Sequence, residues 1–331
     1  MRILSIDGGG IRGIIPGTIL VALEQKLQRL SGDPAARLAD YFDMIAGTST
    51  GGILTCLYLC PNAFGKPMYS AQDAVNLYMT HGAAIFDVGL FARLESLGGI
   101  AEEKYSAAPL ESLLLQYLGG TKLSQLLKPC LITSYDIERR EAVFFNSQDI
   151  PAGEEDFLAR DVARATSAAP TFFPPAHITS STSDTYALVD GGVFCNNPSL
   201  AACVEAFGYN DNLNIRDMTV LSLGTGSSDK SYPYDEARNW GGIKWLSPML
   251  DIMMAGVSES TDYQLAAMFK SAKCSSQYLR IQCDLSKFLG VDSAMDNASL
   301  GNLKGLQDAG QVLAKDNDAK LEAFADMLLK P

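Results

Sequence analysis

Short apolar runs that end in glycine turns alternate with stretches of helical periodicity along this chain, which predicts an α/β fold with a mostly parallel central sheet. Composition agrees: 331 residues, 47% hydrophobic and 19% charged, can bury a substantial core. No internal repeat or low-complexity linker interrupts the sequence, so a single domain over 1–331 is expected.

Residues 2–7 read as a strand that runs into Gly8, Gly9, Gly10, Ile11, Arg12 and Gly13. A helix follows, because Pro16 suits a first turn and Ile19, Leu20, Leu23, Leu27 and Leu30 fall on one stripe. Phe42, Met44, Ile45 and Ala46 read as a buried strand. Gly47-Thr48-Ser49-Thr50-Gly51 is the turn after it, and the apolar run 53–59 is a buried helix stopped by Pro61. From 62 to roughly 105 there is no strand signal, and Gly82, Gly89, Gly98 and Gly99 loosen an apolar stretch from Ile85 to Leu97. A helix over 110–118 precedes a strand over 130–136, with 142–145 as its hairpin partner. A helix over 161–168 ends at Pro170, and Thr171-Phe172-Phe173-Pro174-Pro175 is an aromatic loop stiffened by proline. Residues 186–189 form a strand ending in Asp190-Gly191-Gly192, and 218–223 another, closed by Gly224-Thr225-Gly226. The chain from Trp240 onward is largely helical, with Trp240 and Trp245 expected in the core rather than at a membrane.

Charge narrows the partners. A net charge of −12 without a Lys/Arg run argues against a nucleic acid polymer and against adsorption to anionic lipid, so any membrane contact must rest on apolar insertion. No apolar run approaches the ~20 residues that span a bilayer. The first strand begins at Arg2, and the seven cysteines include no C-x-x-C pair; a cytoplasmic protein with reduced thiols is expected. The two histidines, His81 and His177, have no partner at ligand spacing, so zinc is not expected, and no cofactor is expected either.

The sharpest motif is G-x-S-x-G at Gly47, Ser49 and Gly51. Glycines flank a tight strand-to-helix turn and leave the serine hydroxyl projecting at the strand end. Ordinary turn chemistry accounts for the pentapeptide equally well, and only its company distinguishes the two. A serine nucleophile needs a base. No histidine follows His177, so the chain order Ser, acid, His is excluded, although another order enlisting His81 or His177 stays open. Asp190 ends a strand as Ser49 does; on the premise that parallel strands present their C-terminal ends together, it is the candidate base. The glycine run has two readings. Gly8, Gly10 and Gly13 satisfy G-x-G-x-x-G in form, but Glu24 falls inside the first helix rather than after a second strand. Alternatively, Gly9 and Gly10 offer backbone N–H groups to an oxyanion, with Arg12 holding the loop or adding charge. We prefer the second, because the elbow would supply the oxyanion.

Asp7-Gly8-Gly9-Gly10-Ile11-Arg12-Gly13, Gly47-Thr48-Ser49-Thr50-Gly51 and Asp190-Gly191-Gly192, in that order, resemble the three signature blocks of the patatin-like phospholipases. The run 165–175, Leu221 to Gly226, and the tail from Trp240-Gly241-Gly242 through Asp262-Tyr263-Gln264-Leu265 extend the resemblance over nearly the whole chain, toward the plant patatin type with bacterial relatives. The resemblance implies a three-layer α/β/α fold, with the family core at roughly 3–205 and a helical part at roughly 235–331. It implies Ser49 as nucleophile, Asp190 as base, Gly9 and Gly10 as oxyanion donors beside Arg12, and metal-independent hydrolysis of acyl esters in membrane glycerolipids. The 85–97 stretch then becomes a candidate acyl-chain site or lid, with ordinary core helices the equal alternative. Bacterial members that look like this include effectors switched on by a cyclic dinucleotide, so such an activator, and an oligomer, are possible partners. A nucleotide-binding module built on Gly8 to Gly13 is the reading from another class.

Overall fold

The computed structural model describes residues 1–86, 105–148, 150, 153–210, 212–227 and 231–330. An eight-stranded sheet lies at its centre. With strands numbered in chain order, β1 (Arg2–Ile6) pairs in parallel with β2 (Met44–Thr48) and β7 (Thr219–Leu223). β3 (Cys130–Asp136) continues the parallel run beyond β2, and β8 (Tyr278–Ile281) beyond β7. These five strands are the mostly parallel sheet that the sequence predicts. β4 (Glu141–Asn146) returns along β3 as the expected hairpin, while β6 (Thr185–Asp190) pairs antiparallel with β3 and with β5 (Ala176–Thr179).

Alternation along the strands covers both faces. Leu4, Ile6, Ile45, Ile132 and Leu221 turn one way, Ile3, Met44, Ala46, Leu131 and Val220 the other, and all are buried. The first face packs α1 (Ile14–Ser31), α2 (Thr50–Leu59), α3 (Ala71–Ile85), α4 (Ala108–Leu118) and α5 (Ala159–Thr166), with α10 (Leu300–Asp316) and α11 (Asp318–Leu328) outside α1. The second packs α7 (Ser199–Tyr209) and the C-terminal half of α9 (Gly242–Ser271) through Ala202, Cys203, Ala206, Leu265 and Phe269. Two short helices, α6 (Gly192–Cys195) and α8 (Tyr234–Ala237), complete the set among the described residues. Helices on both faces of one sheet make three layers.

Several readings need correction. The stretch after 62, read only as lacking a strand, holds a regular helix, α3, started by Ser70 and Asp73 in a capping box. β5 follows the proline-stiffened loop, over residues for which no strand was read, and β8 interrupts a tail read as largely helical. Trp240 is half-buried and Trp245 is exposed, so neither is a core residue. Residues 87–97 of the apolar 85–97 stretch lie outside the described residues. No described helix is long and apolar enough to cross a membrane.

Candidate active site

β2 ends at Thr48 and α2 begins at Thr50, so Ser49 alone makes the turn. It does so at φ 56° and ψ −122°, a conformation that L-residues with side chains rarely adopt and that persists only when its surroundings hold it. The flanking glycines let the backbone close up: a Cβ on Gly47 would lie 2.2 Å from the Gly51 carbonyl oxygen, and one on Gly51 2.1 Å from that of Ile6. From α5, Thr166 Oγ1 accepts the Ser49 N–H at 2.8 Å. Ser49 thus lines a cleft at the first turn of α2, where the helix dipole favours negative charge.

The edge of β3 brings Asp190 to the serine. β4 occupies one edge of β3 over 131–136. The other edge is shared: β2 fills it up to Thr133, opposite Thr48, and β6 takes over at Ser134, opposite Asp190. The two strands run in opposite senses and meet end to end, which leaves Ser49 and Asp190 together. The premise of parallel strand ends is therefore wrong for β6; its overhang beyond the end of β2 sets the level instead. Ser49 and Asp190 line the same cleft, the Ser49 side chain close enough to lower the proton affinity of the Asp190 carboxyl, and the Gly192 N–H donates to Asp190 Oδ1 at 2.7 Å. Asp190 is buried, and burial pushes its pKa up to about 7 against the opposing pull of the Ser49 side chain and the Gly192 amide.

Above this pair runs the glycine loop, from Gly8 to Gly13. Gly8 N–H donates to the Asn196 carbonyl at 3.1 Å and Ile11 N–H to that of Met295 at 2.8 Å. Between them, the Gly9 and Gly10 amides have no acceptor among the described residues, and both glycines line the cleft. Gly10 has φ +59°, and a Cβ there would collide with the Met295 carbonyl at 2.2 Å. Arg12 turns back on the loop: its Nε donates to Gly9 O at 3.3 Å and its Nη1 to Ser293 O at 3.2 Å. Burial lowers its pKa to about 10, which leaves it charged at neutral pH. It braces the loop and does not line the cleft.

The cleft is open to solvent at its mouth. Ile53, Phe86, Phe172, Phe173, Met253 and Met254 make its walls apolar. Among its described lining residues Asp190 is the one carboxylate, and no Lys, Arg or His lines it. His81 sits on α3 with Nε2 3.5 Å from the Tyr117 hydroxyl, and His177 is exposed on β5. Sequence reasoning missed Arg280, which forms a bidentate pair with Asp7 beneath the glycine loop, and Met253 and Met254 of the cleft wall. A signal existed for Arg280 and for Met254. Arg280 stands in the apolar run Tyr278-Leu279-Arg280-Ile281, where a buried cation requires a carboxylate. Leu250, Met254, Ser258, Thr261, Leu265 and Phe269 recur at helical spacing.

Fold and site together define a three-layer α/β protein with a serine elbow, a buried carboxylate beside it and an apolar cleft over both. The profile described as Patatin-like phospholipase matches residues 4–202. Patatin group J-1 of Solanum tuberosum is 38% identical over 95% of this chain and 84% of its own length. Patatin-like protein 1 of Arabidopsis thaliana is 39% identical over 94% and 80%, and a probable inactive patatin-3-Kuras 1 of Solanum tuberosum 36% over 99% and 92%. The chain belongs to the patatin-like phospholipase family, whose members are in general lipid acyl hydrolases. VipD from Legionella pneumophila, a solved structure 12% identical with a TM-score of 0.39 over 95% of this chain and 66% of that one, adds no weight to this assignment.

Proposed function

We propose that this protein hydrolyses acyl esters of membrane glycerolipids with Ser49 as nucleophile and Asp190 as its general base. Family membership alone does not decide activity, since one relative is named as probably inactive. The observation that carries the reading is Ser49 and a buried carboxyl whose pKa is about 7 lining one cleft, whose described lining holds no histidine. A base is most effective when it titrates near the working pH.

The steps follow from those positions. Asp190 takes the hydroxyl proton as Ser49 Oγ attacks the ester carbonyl carbon. The carbonyl oxygen becomes an oxyanion between the Gly9 and Gly10 amides, donors of a kind worth about 3–4 kcal/mol each in mutational studies. Collapse breaks the ester bond, and the protonated Asp190 returns its proton to the departing alkoxide. Water then attacks the acyl-enzyme, giving its proton to Asp190, and the second collapse releases the fatty acid and restores Ser49. The apolar walls suit an acyl chain, and Ile85 and Phe86 contribute to them. A phosphate held by the glycine loop is disfavoured: Arg12, its nearest basic candidate, is engaged on Gly9 O and Ser293 O.

Mass spectrometry of a whole lipid extract, incubated with and without a cyclic dinucleotide, tests the reading. Free fatty acid and lysolipid should form, and Ser49→Ala should lower their rate about 10⁴-fold or more in a normally folded protein. Retained turnover in Ser49→Ala would falsify the nucleophile assignment. Turnover that begins only on adding the dinucleotide adds a switch to the same chemistry.

A further inference from the structure

The long helix α9 changes character along its length. Its inward line, Leu250, Met254, Ser258, Thr261, Leu265 and Phe269, is buried from Ser258 onward. Over that C-terminal half the exposed positions are mixed, with Glu259, Ser260, Gln264 and Lys270 alongside Tyr263 and Met268. In the N-terminal half, beside the charged Lys244 and Asp251, four large apolar side chains are exposed: Trp245 is 38% exposed, Met249 45%, Ile252 48% and Met253 41%. Met253 also lines the cleft with Leu250 and Met254, so the exposed face and the cleft wall are one continuous apolar surface. At the helix start Trp245 packs edge-on against Trp240, with ring centres 5.2 Å apart, and Trp240 packs against Tyr232 at 5.5 Å.

The chemistry of this face selects its occupant. It carries no basic cluster: Lys244 is balanced by Asp251 along the helix, and Arg238 pairs with Asp235 at 3.6 Å. On a chain of net charge −12, an anionic surface would be repelled. Tryptophan and tyrosine rings flanking flexible apolar side chains suit the boundary between headgroups and acyl chains.

We propose that the N-terminal half of α9, with Trp240 and Trp245, is the face on which this protein docks to a zwitterionic phospholipid bilayer. Met249 and Ile252 enter the acyl boundary, and the cleft opens onto the membrane at Met253. The proposal rests on the lipid-hydrolase reading above, which supplies the reason for a substrate to pass from that face into the cleft.

Flotation with vesicles of diether phosphatidylcholine, which has no ester to cut, separates docking from catalysis. Wild-type protein should float with them, and the Met249→Glu/Ile252→Glu variant should lose binding about tenfold or more. Neither residue lines the cleft, so the variant should cleave a soluble short-chain p-nitrophenyl ester within about twofold of wild type, which also shows that it is folded. In Trp240→Phe, where Trp245 is the remaining tryptophan, brominated acyl chains should quench its fluorescence. Equal flotation of variant and wild type overturns the proposal, as does absence of wild-type flotation. Sedimentation showing a dimer that the variant dissociates, without vesicle binding, makes the face a subunit contact and overturns it too. Loss of flotation in the variant while no ester is cut by wild type would sink the hydrolase reading and leave the docking face standing.

Discussion

Asp7-Gly8-Gly9 and Asp190-Gly191-Gly192 put the same three residues at the ends of two buried strands, yet the two carboxylates have opposite company. Arg280 holds Asp7 with both arms, Nη1 to Oδ1 at 2.8 Å and Nη2 to Oδ2 at 2.5 Å, while Nη1 also donates to Ser222 Oγ at 2.8 Å. Burial works against the charge on Arg280, but Asp7 outweighs it and the guanidinium pKa is raised. Burial raises the proton affinity of Asp7 as well, and Arg280 opposes it. A bidentate guanidinium at that range keeps the carboxylate ionised and the strand end fixed. Asp190 has a hydroxyl and one amide in place of a cation, and it titrates near neutrality. What accompanies a buried carboxylate therefore decides its work. The paired one anchors the glycine loop, and the unpaired one is free to exchange a proton.

The strongest way to break this contrast is to make each carboxylate an amide. Asp190→Asn should lower kcat/KM by about 10³–10⁴ while the melting temperature holds or rises, because a buried carboxyl without a cation is replaced by a neutral group of the same shape. A large loss of stability instead would make Asp190 a structural residue. Asp7→Asn should do the reverse. It strands Arg280 without its partner and should cost about 3–5 kcal/mol in urea unfolding, while Asp7→Asn combined with Arg280→Met recovers most of that loss.

Proton titration sharpens the contrast further. Asp190 must be ionised to accept the Ser49 proton, so log kcat/KM should rise with pH up to about 7 and level off above it. Stability should move the other way. The folded-state pKa lies above the ordinary 3.8, so the native protein holds a proton that the unfolded chain has released. The stability this proton brings is complete below about pH 4 and is lost as pH rises through about 7, and Asp190→Asn should remove that slope. A pH–rate profile flat from 5 to 8 (roughly the window that a base of this kind must cross) would leave the two aspartates indistinguishable.

Much of this site was legible because its parts are local. Gly47 is required by backbone closeness within one turn and Gly10 by its own φ, whereas Gly51 answers to Ile6 on the neighbouring strand. What stayed hidden depends on long-range pairing. Arg280 is 273 residues from Asp7, and nothing near Asp7 announces it. The direction of β6 depends on which part of β3 is left open after β2 ends, a property of the assembled sheet. β5 and β8 have four residues each, too few for alternation to stand out beside Pro174-Pro175 or between helices. Trp240 and Trp245 were placed in the core because large aromatics are usually buried, whereas the first half of α9 leaves Trp245 exposed.

The smallest expected effect is the one on which the comparison depends. His177 lies on β5, opposite Ala187, with its side chain exposed and outside the cleft lining. His177→Ala should keep kcat/KM within about twofold and leave the acid limb of the pH profile unmoved, since no proton in the scheme passes through it. A dead His177→Ala would mean that an imidazole reaches the serine during turnover. Asp190 would then orient that ring rather than take the proton itself. Asp190, like Asp7, would be an ionised carboxylate that holds a cation.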